Sequence, residues 1–372
     1  MRGVSRDEQL QLFAGAGHEV RGVVPLPWSP RRWLTRARIP DEERDGAVTV
    51  THPRYPRLPR FPGGLMTIAE RGLFARAAAA ALGREWGAPD VVLAQSATLP
   101  GGLLGRIRAA AFVVAIHDHE LYEWARQSRV SRVAIARTLR RADCAVYVSA
   151  ALQREGISLA GPHRSTVIPI GIEIYQDLVA APPSLFTVCT VARLVRRKRI
   201  DHLIRAFARL LAAGTDARLV IVGDGPERAA LSKLVRMLGI DSKVEMTGAL
   251  DARKAREMIA RSSVMALPSV LESLGAVYLE AMSLGVPTVG TRGEGIEDYV
   301  EHGVSGILVP PNDEDALLVE LRALADSPER ARRIGEGGRR RFMGGEFSWR
   351  ANTEAYLALF HELTSGRSAG RT

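Results

Sequence analysis

Two glutamates eight positions apart, Glu272 and Glu280, lie on either side of an expected helix start. A short apolar strand at 264–267 ends at Pro268, and apolar residues then recur at the three- and four-residue intervals of one helix face. The free amides of a helix start bind anions, helped by the positive end of the helix dipole. Carboxylates accept hydrogen bonds from sugar and ribose hydroxyls. The pattern therefore predicts a nucleotide-sugar site, and the alternative is a pair of solvated glutamates on an exposed turn.

Basic side chains follow an earlier apolar strand at 186–191, where Arg193 and Lys198 can both reach a diphosphate. Lys198 is the more informative of the two, because only four of the 51 basic residues are lysines. The next strand, at 218–222, runs into a Gly-Asp-Gly-Pro turn that begins at Gly223 and brings backbone close to a ligand. A solvated basic loop is the alternative for Arg193 and Lys198.

The elements that position these loops alternate between strand and helix after Pro182 and Pro183, which mark a candidate linker. Strands are continuous apolar runs, as a parallel sheet covered on both faces requires. This alternation predicts a doubly wound α/β sheet, whose ligands lie beyond the carboxyl ends of its strands. The expected strands are 186–191, 218–222, 244–246 and 264–267, and the helices between them are 201–213, 227–238 and 251–261.

The first half of the chain also alternates, but a Pro- and Arg-rich stretch at 26–64 interrupts it with only one expected strand, at 47–51. Aromatic and basic residues in that stretch can dock on an anionic membrane surface, and a plain surface loop is the alternative. The cluster consists of Trp28, Arg31, Arg32, Trp33, Arg36 and Arg38. Other expected strands are 91–94, 112–116, 144–148 and 165–170, with helices at 7–16, 65–86, 103–110 and 130–140.

The composition limits the classes of protein to consider. A chain of 372 residues exceeds one ordinary core, so two domains are expected. The net charge of +10 comes from arginines spread along the chain, and no zinc-finger spacing or RNA-binding aromatic motif accompanies it, so no nucleic-acid partner is predicted. The chain contains neither a membrane-spanning apolar run nor a signal-peptide core, which favours a cytoplasmic location. Cys144 and Cys189 lie in different expected domains and are predicted to be buried thiols.

The second half resembles the nucleotide-sugar domain of family-4 glycosyltransferases, which are retaining enzymes with two Rossmann-like domains facing across a cleft, the GT-B fold. The resemblance implies that Arg193 and Lys198 hold the diphosphate, Glu272 the sugar hydroxyls and Glu280 the ribose. It also implies that the amides of Ser273, Leu274 and Gly275 support phosphate or sugar, with Gly223 beside the donor. The matching runs are VARLVRRKRIDHLIRAFARL, VIVGDGPERAAL, VEMTGAL, LPSVLESLGAVYLEAMSLGVPTVGT and GVSGILVPPND.

The first half resembles the family more loosely, through GHEVRGVVPL, PDVVLAQS, VVAIHDHE, ADCAVYVS and VIPIGIE. His117 falls where the family has a histidine that faces the donor sugar, and a structural hydrogen-bonding role is the alternative. Ile170 replaces the family's usual Asn, and Arg199 replaces a frequent Gly. Gly3 aligns with the Gly-rich loop that follows the family's first strand, so the first domain is expected to lack that strand and the chain to begin downstream of the true start.

Together these features predict a hexosyltransferase that moves a sugar from a nucleoside-diphosphate donor to an unidentified acceptor, and the resemblance implies that it is a retaining enzyme. Its expected domains are 1–180, 184–345 and a helix at 346–363 that returns to the first domain. Two cations neutralise the diphosphate in this scheme, so no metal or other cofactor is strictly required. The partners are the donor, the acceptor and, peripherally, the anionic inner face of a membrane. Alternatives are a nucleotide-sugar epimerase of the same fold and a non-catalytic nucleotide-sugar-binding protein.

Overall fold

The computed structural model describes residues 4–28, 41–56, 65–85, 88–97, 109–117, 121–122, 125–127, 129–173, 178 and 183–368. The chain divides into two compact units. The first contains Met1–Gly171 and Ser348–Thr372, and the second contains Ile172–Phe347. In the described part of the chain, no helix is both long and apolar enough to cross a membrane.

The second unit is built on a parallel sheet of six strands in the order β12-β11-β10-β13-β14-β15. Numbered within the unit, this is the order 3-2-1-4-5-6 of a doubly wound nucleotide-binding sheet. The order reverses between β10 and β13, and ligands of such sheets bind at that point. The strands are β10 (Phe186–Val191), β11 (Ala217–Val222), β12 (Val244–Gly248), β13 (Val264–Ala266), β14 (Thr288–Thr291) and β15 (Ile307–Val309).

Helices cover this sheet because their apolar residues recur at helical spacing. In the helix Ile200–Ala212, Leu203, Ile204, Phe207 and Leu210 are all buried, while the polar residues between them face outward. The other helices of the unit are Arg228–Met237, Ala252–Ala260, Ala276–Leu284, Glu314–Asp326 and Pro328–Met343.

The described residues of the first unit form three separate sheets. Four parallel strands pair in sequence order, β6-β7-β8-β9, and a three-stranded sheet has the order β1-β4-β3. The first element among the described residues is the helix Val4–Gly15, and no described strand precedes β1. The strands are β1 (Arg21–Val23), β2 (Leu26–Trp28), β3 (Glu42–Asp45), β4 (Val48–Thr51), β5 (Arg54–Pro56), β6 (Val91–Ala94), β7 (Ala111–Ile116), β8 (Cys144–Tyr147) and β9 (Ser165–Val167).

The expectation of one strand between residues 26 and 64 is wrong, because β2, β3 and β5 also lie there. Their sequences, LPW, EERD and RYP, combine prolines with charged residues, which have low strand propensity. They are strands because neighbours supply the hydrogen bonds: β2 pairs with β5, and β3 with β4. The helix Ala150–Ala160, capped by Ser149, was also not predicted, and the predicted helix 103–110 lies mostly outside the described residues.

The last helix, Trp349–Ser368, packs against the first helix within the first unit. The rings of Phe13 and Tyr356 meet edge to face at 6.3 Å. Both rings join a core with strand residues such as Val113 and Val146. The other helices among the described residues of this unit are Leu65–Glu85, Arg129–Arg141 and Ala150–Ala160, with a single turn at Ala125–Gln127.

Candidate functional site

Two loops meet where the strand order of the second unit reverses, one after β10 and one after β13. Arg197 holds them together through its backbone and its side chain. Its carbonyl accepts from the amide of Val270 at 2.8 Å, and its Nη1 donates to the carbonyl of Leu271 at 2.8 Å. The loop after β10 is thereby fixed against the loop that carries Glu272.

Lys198 and Glu272 form a buried ion pair between these loops. Their side chains are only 13% and 7% exposed, and Ser269 Oγ donates to Glu272 Oε2 at 2.8 Å. Burial alone would raise the pKa of Glu272, but Lys198, Ser269 and Arg197 outweigh it and hold the pKa below its ordinary value. Glu272 is therefore an ionised carboxylate, which does not fit the interpretation as a solvated glutamate.

Glu294 holds the backbone around Glu272 in place. Its two carboxylate oxygens accept from the amides of Leu271 and Glu272 at 2.9 and 2.7 Å. Leu271 has a φ of 57°, a left-handed conformation that costs a non-glycine residue about 1–2 kcal/mol. Burial raises the pKa of Glu294, although both amides oppose the shift. The strained backbone of the loop is thus held by a half-buried carboxylate.

The three residues that follow present their amides at the start of the helix Ala276–Leu284. Gly275 is its N-cap, with a φ of 75°, and offers no side chain to cap the helix. In the described part of the chain, the amides of Ser273, Leu274 and Gly275 donate to no other group. Ser273 and Leu274 are buried, and buried amides are almost always paired. This row of donors at a helix start has the chemistry of an anion site.

Glu280 is the fifth residue of that helix and pairs with Arg256 of the neighbouring helix Ala252–Ala260. Arg256 Nη2 donates to Glu280 Oε1 at 2.9 Å, and Arg256 Nη1 lies 3.9 Å from Glu173 Oε2. Burial raises the pKa of Glu280, Arg256 lowers it and Glu173 raises it. With a side chain 20% exposed, Glu280 is also not an ordinary solvated carboxylate.

The turn after β11 approaches the loop after β10 very closely. Gly223 has a φ of 137°, and a Cβ there would lie 1.9 Å from the carbonyl oxygen of Ala192. Asp224 accepts from the amide of Leu194 through its backbone oxygen at 3.0 Å. Arg193 is exposed, and its side chain makes no hydrogen bond or ion pair with the described residues.

Two further predicted site residues, His117 and Gly3, do not belong to the second unit. His117 belongs to the first unit, at the end of β7, where its Nε2 lies 2.7 Å from Gln95 Oε1. Gly3 is outside the described residues. Among those described, no group of three or more His, Cys, Asp or Glu side chains is placed to hold a metal ion.

Sequence reasoning missed four residues of the site: Arg197, Arg256, Ser269 and Glu294. Ser269 had a local signal, because it stands three positions before Glu272 in the same loop. Arg256 and Glu294 had no such signal. Arg256 contacts Glu280 of the helix from 24 residues away, and Glu294 contacts Glu272 of the loop from 22 residues away. Their spacing carries no periodicity that predicts such contacts.

Comparisons with known proteins cover the same residues. Residues 175–341 match the family model described as glycosyl transferases group 1, and residues 7–176 match Glycosyltransferase Family 4. A GDP-mannose-dependent alpha-(1-6)-phosphatidylinositol monomannoside mannosyltransferase of Mycolicibacterium smegmatis is 32% identical over 295 residues. The match covers 73% of this chain and 75% of the relative.

Solved structures resemble the whole chain at low sequence identity. Sucrose-phosphate synthase from Thermosynechococcus elongatus has a TM-score of 0.81 at 22% identity and covers 97% of this chain and 92% of its own. HepE from Anabaena, solved in complex with UDP and glucose, has a TM-score of 0.67 at 20% identity. The match covers 84% of this chain and 86% of HepE. These likenesses confirm the predicted α/β fold with two Rossmann-like domains of the GT-B type.

Proposed function

Since the chain belongs to glycosyltransferase family 4, we propose that it moves a hexose, with retention, from a nucleoside diphosphate to a hydroxyl acceptor. One observation carries the donor part of this proposal. The buried Lys198–Glu272 pair lies beside three open amides at the point where the strand order reverses. That arrangement suits a ligand with an anionic part and a hydroxyl-rich part.

The diphosphate fits the amides of Ser273 to Gly275 together with Lys198 and Arg193. Breaking the bond between the anomeric carbon and the phosphate oxygen leaves negative charge on the diphosphate. Fixed cations and amide dipoles that face this charge lower the barrier, and mutagenesis of comparable donors gives about 3–4 kcal/mol for each. Arg193 is exposed in the free protein, so it is available to fold onto a bound phosphate.

The two carboxylates fit the two hydroxyl-bearing ends of the donor. Glu272 is ionised and close to Lys198, which suits an acceptor for sugar hydroxyls next to the diphosphate. Glu280 uses Oε1 for Arg256, so its Oε2 is the oxygen available to ribose hydroxyls. The M. smegmatis relative is named for GDP-mannose and the HepE crystal held UDP and glucose. A nucleoside-diphosphate hexose is their common chemistry, and we propose that class of donor here.

Retention in this scheme needs no enzyme nucleophile. The acceptor oxygen attacks the anomeric carbon on the face that the diphosphate leaves, the bond to the phosphate oxygen breaks, and that oxygen takes the acceptor's proton. His117 is proposed to face the donor sugar. Because Lys198 and Arg193 neutralise the diphosphate, we propose that no metal is strictly required, and that chelation leaves turnover largely intact.

The acceptor side includes a proposed contact with an anionic membrane. Val130 and Val133, on the helix Arg129–Arg141, are 52% and 51% exposed, and this helix contains no acidic residue. Among the described residues, none forms an ion pair with its Arg129 or Arg137. Exposed valines among arginines suit a surface of anionic lipids. The predicted cluster at 28–38 lies outside the described residues except for Trp28.

Liposome sedimentation tests the membrane contact. Binding is expected to vesicles that contain phosphatidylglycerol and not to phosphatidylcholine alone, and replacing Val130 and Val133 with Asp should abolish it. A matched control replaces the exposed Val304 and Val319 of the second unit, which are 50% and 63% exposed. Equal sedimentation of both double variants would refute the proposed surface.

Binding of nucleoside diphosphates tests the donor site directly. Calorimetry with UDP, GDP and ADP should show binding of at least one to the wild-type protein and its loss in Lys198→Ala. The epimerase alternative is tested by incubating the donor without any acceptor, where interconversion of sugars would support it. The M. smegmatis relative is named as a mannosyltransferase, so neither that alternative nor a non-catalytic binding protein is favoured.

A further inference from the structure

In the first unit, a relay of hydrogen-bonded side chains connects the carbonyl of Pro169 to His117 through Asn352, Gln9 and Gln95. We propose that Asn352, Gln9 and Gln95 are positioning residues that fix the hydrogen of neutral His117 on Nε2. Its basic nitrogen is then Nδ1. This inference rests on the proposed role of His117 in transfer, although the relay itself can be tested without a substrate.

Four contacts make up the relay. Asn352 Nδ2 lies 2.6 Å from the carbonyl oxygen of Pro169, and Gln9 Nε2 lies 2.7 Å from Asn352 Oδ1. Gln95 Nε2 lies 3.4 Å from Gln9 Oε1, and His117 Nε2 lies 2.7 Å from Gln95 Oε1. The link between the two glutamines is the longest and therefore the weakest of the four.

The direction of every bond follows from the Pro169 carbonyl, which can only accept. Asn352 must turn its NH₂ group toward that oxygen, so its own oxygen faces Gln9. That oxygen also only accepts, so Gln9 presents its NH₂ to Asn352 and its oxygen to Gln95. Gln95 in turn donates to Gln9 and presents its oxygen to His117. The ring nitrogen that meets this oxygen must carry a hydrogen, and that nitrogen is Nε2.

Burial keeps the relay in this single arrangement. Gln9 is 6% exposed and Asn352 is 3% exposed. If either side-chain amide were flipped, a buried NH₂ group would face another donor, or a buried oxygen another acceptor, and neither hydrogen bond would form. Gln9 belongs to the helix Val4–Gly15 and Asn352 to the helix Trp349–Ser368. Gln9 and Asn352 are 343 residues apart in the sequence. The protonation pattern of His117 therefore depends on both ends of the chain.

The chemical consequence concerns what His117 offers to a ligand. With Nε2–H engaged by Gln95, the neutral ring has its lone pair on Nδ1, which accepts a hydrogen bond from a hydroxyl. After protonation the ring also donates from Nδ1. The relay commits Nε2–H to Gln95, so a hydroxyl that binds to neutral His117 must donate to Nδ1.

Nitrogen NMR of selectively ¹⁵N-histidine-labelled protein tests the relay. The wild-type spectrum is recorded at a pH where His117 is neutral, and a His117→Asn variant identifies its signals among the eight histidines. Gln95→Met removes the direct partner and Gln9→Met cuts the relay at its centre. The control is Gln11→Met, because Gln11 lies on the same helix and donates to Asp45 instead. Circular dichroism confirms that each variant is folded.

The expected wild-type result is hydrogen on Nε2 alone, with slow exchange of that hydrogen. In Gln95→Met and Gln9→Met the two ring nitrogens should give averaged signals, with exchange about fivefold faster or more, the factor for one neutral hydrogen bond. Gln11→Met should match the wild type. Hydrogen on Nδ1 in the wild type, or an unchanged signal in Gln9→Met, would overturn the proposal.

Two substitutions of Asn352 separate bond direction from packing. Leu at 352 neither donates nor accepts, so the averaged signal is expected. Asp at 352 cannot donate to Pro169, but it still only accepts from Gln9, so the hydrogen should stay on Nε2. Identical behaviour of Asn352→Leu and Asn352→Asp would refute the argument from direction. Absence of glycosyl transfer by the wild type would instead refute the proposed function and leave this result standing.

Discussion

Among single residues, the proposed donor site contains buried charges that neutralise one another. Lys198 and Glu272 are almost fully buried, and Ser269 supplies a further hydrogen bond to the carboxylate. Two buried charges are expensive to desolvate, and their pairing is not in itself evidence of stability. We propose instead that the pair serves ligand binding, with an incoming diphosphate replacing Glu272 as the counterion of Lys198.

Variants of this pair distinguish ligand binding from stability. Lys198→Met leaves Glu272 buried without its partner, which should destabilise the fold by about 3–5 kcal/mol and abolish donor turnover. The double variant Lys198→Met with Glu272→Gln removes both charges and should recover most of the stability without any turnover. Urea unfolding and donor hydrolysis measure the two effects. Recovery of turnover in the double variant would contradict the assignment.

A second residue-scale prediction concerns Arg256 and the pH dependence of nucleotide binding. Burial raises the pKa of Glu280 and Arg256 opposes that rise, so Arg256→Gln should raise the pKa further. The proposed contact between Glu280 and ribose hydroxyls needs the ionised carboxylate, so we expect affinity for a nucleoside diphosphate to be lost as pH falls through this pKa. The loss should therefore begin at a higher pH in Arg256→Gln, with about 10- to 100-fold weaker binding near neutrality.

Arg253 provides the matched control for Arg256. It lies on the same helix, is half exposed and pairs with Glu257 one turn away. Arg253→Gln should leave both affinity and its pH profile unchanged in calorimetric titrations. If Arg256→Gln shows the wild-type profile, Arg256 does not maintain the charge of Glu280.

At the scale of elements, backbone proximity positions the loops of the donor site. Gly223→Ala should be severely disruptive, because the Cβ would lie 1.9 Å from the Ala192 carbonyl oxygen and φ is 137°. We expect a loss of more than about 3 kcal/mol in the free energy of unfolding and a matching loss of nucleotide affinity.

Gly239→Ala separates conformational strain from steric clash in that experiment. Gly239 also has a positive φ, 67°, but no atom lies within 4 Å of its would-be Cβ. Its substitution should cost only about 1–2 kcal/mol and leave affinity intact. Equal losses of stability in the two variants, measured by urea unfolding, would show that the close approach to Ala192 is unimportant.

The sequence predicts helices and strands well where the local spacing of apolar residues agrees with the tertiary structure. β10, at 186–191, was predicted to the residue, because its apolar run is buried on both faces between helices of regular spacing. The strands near residues 26–56 were mostly missed, because pairing with neighbours overrides their low propensity. In the donor site, Glu272, Glu280 and Lys198 stand out from their motifs, whereas Glu294 and Arg256 are defined only by contacts made after folding.

At the scale of the whole molecule, two thiols report on the two units separately. Cys144 is buried in the first unit and Cys189 in the second. Burial raises the pKa of Cys144 to about 11 and that of Cys189 to about 12. Neither thiol should react with a disulfide reagent at pH 8 until its unit unfolds, because the thiolate is the nucleophile.

Single-cysteine variants allow the unfolding of each unit to be measured by thiol labelling. In Cys189→Ser only the first unit is reported, and in Cys144→Ser only the second. Labelling at increasing urea should follow the circular dichroism of unfolding, and saturating nucleoside diphosphate should delay labelling of Cys189 more than that of Cys144, since the donor site lies in the second unit. Rapid labelling in the absence of urea would contradict the buried positions.

We propose that the second unit holds a nucleoside-diphosphate sugar through Lys198, Glu272 and Glu280. The most direct measurement is release of nucleoside diphosphate from UDP-, GDP- and ADP-hexoses by the wild type, Lys198→Ala, Glu280→Ala and the control Arg253→Gln. We predict release from at least one donor by the wild type and the control, and a loss of at least about 100-fold in both alanine variants. Near-normal release by either alanine variant would contradict the account.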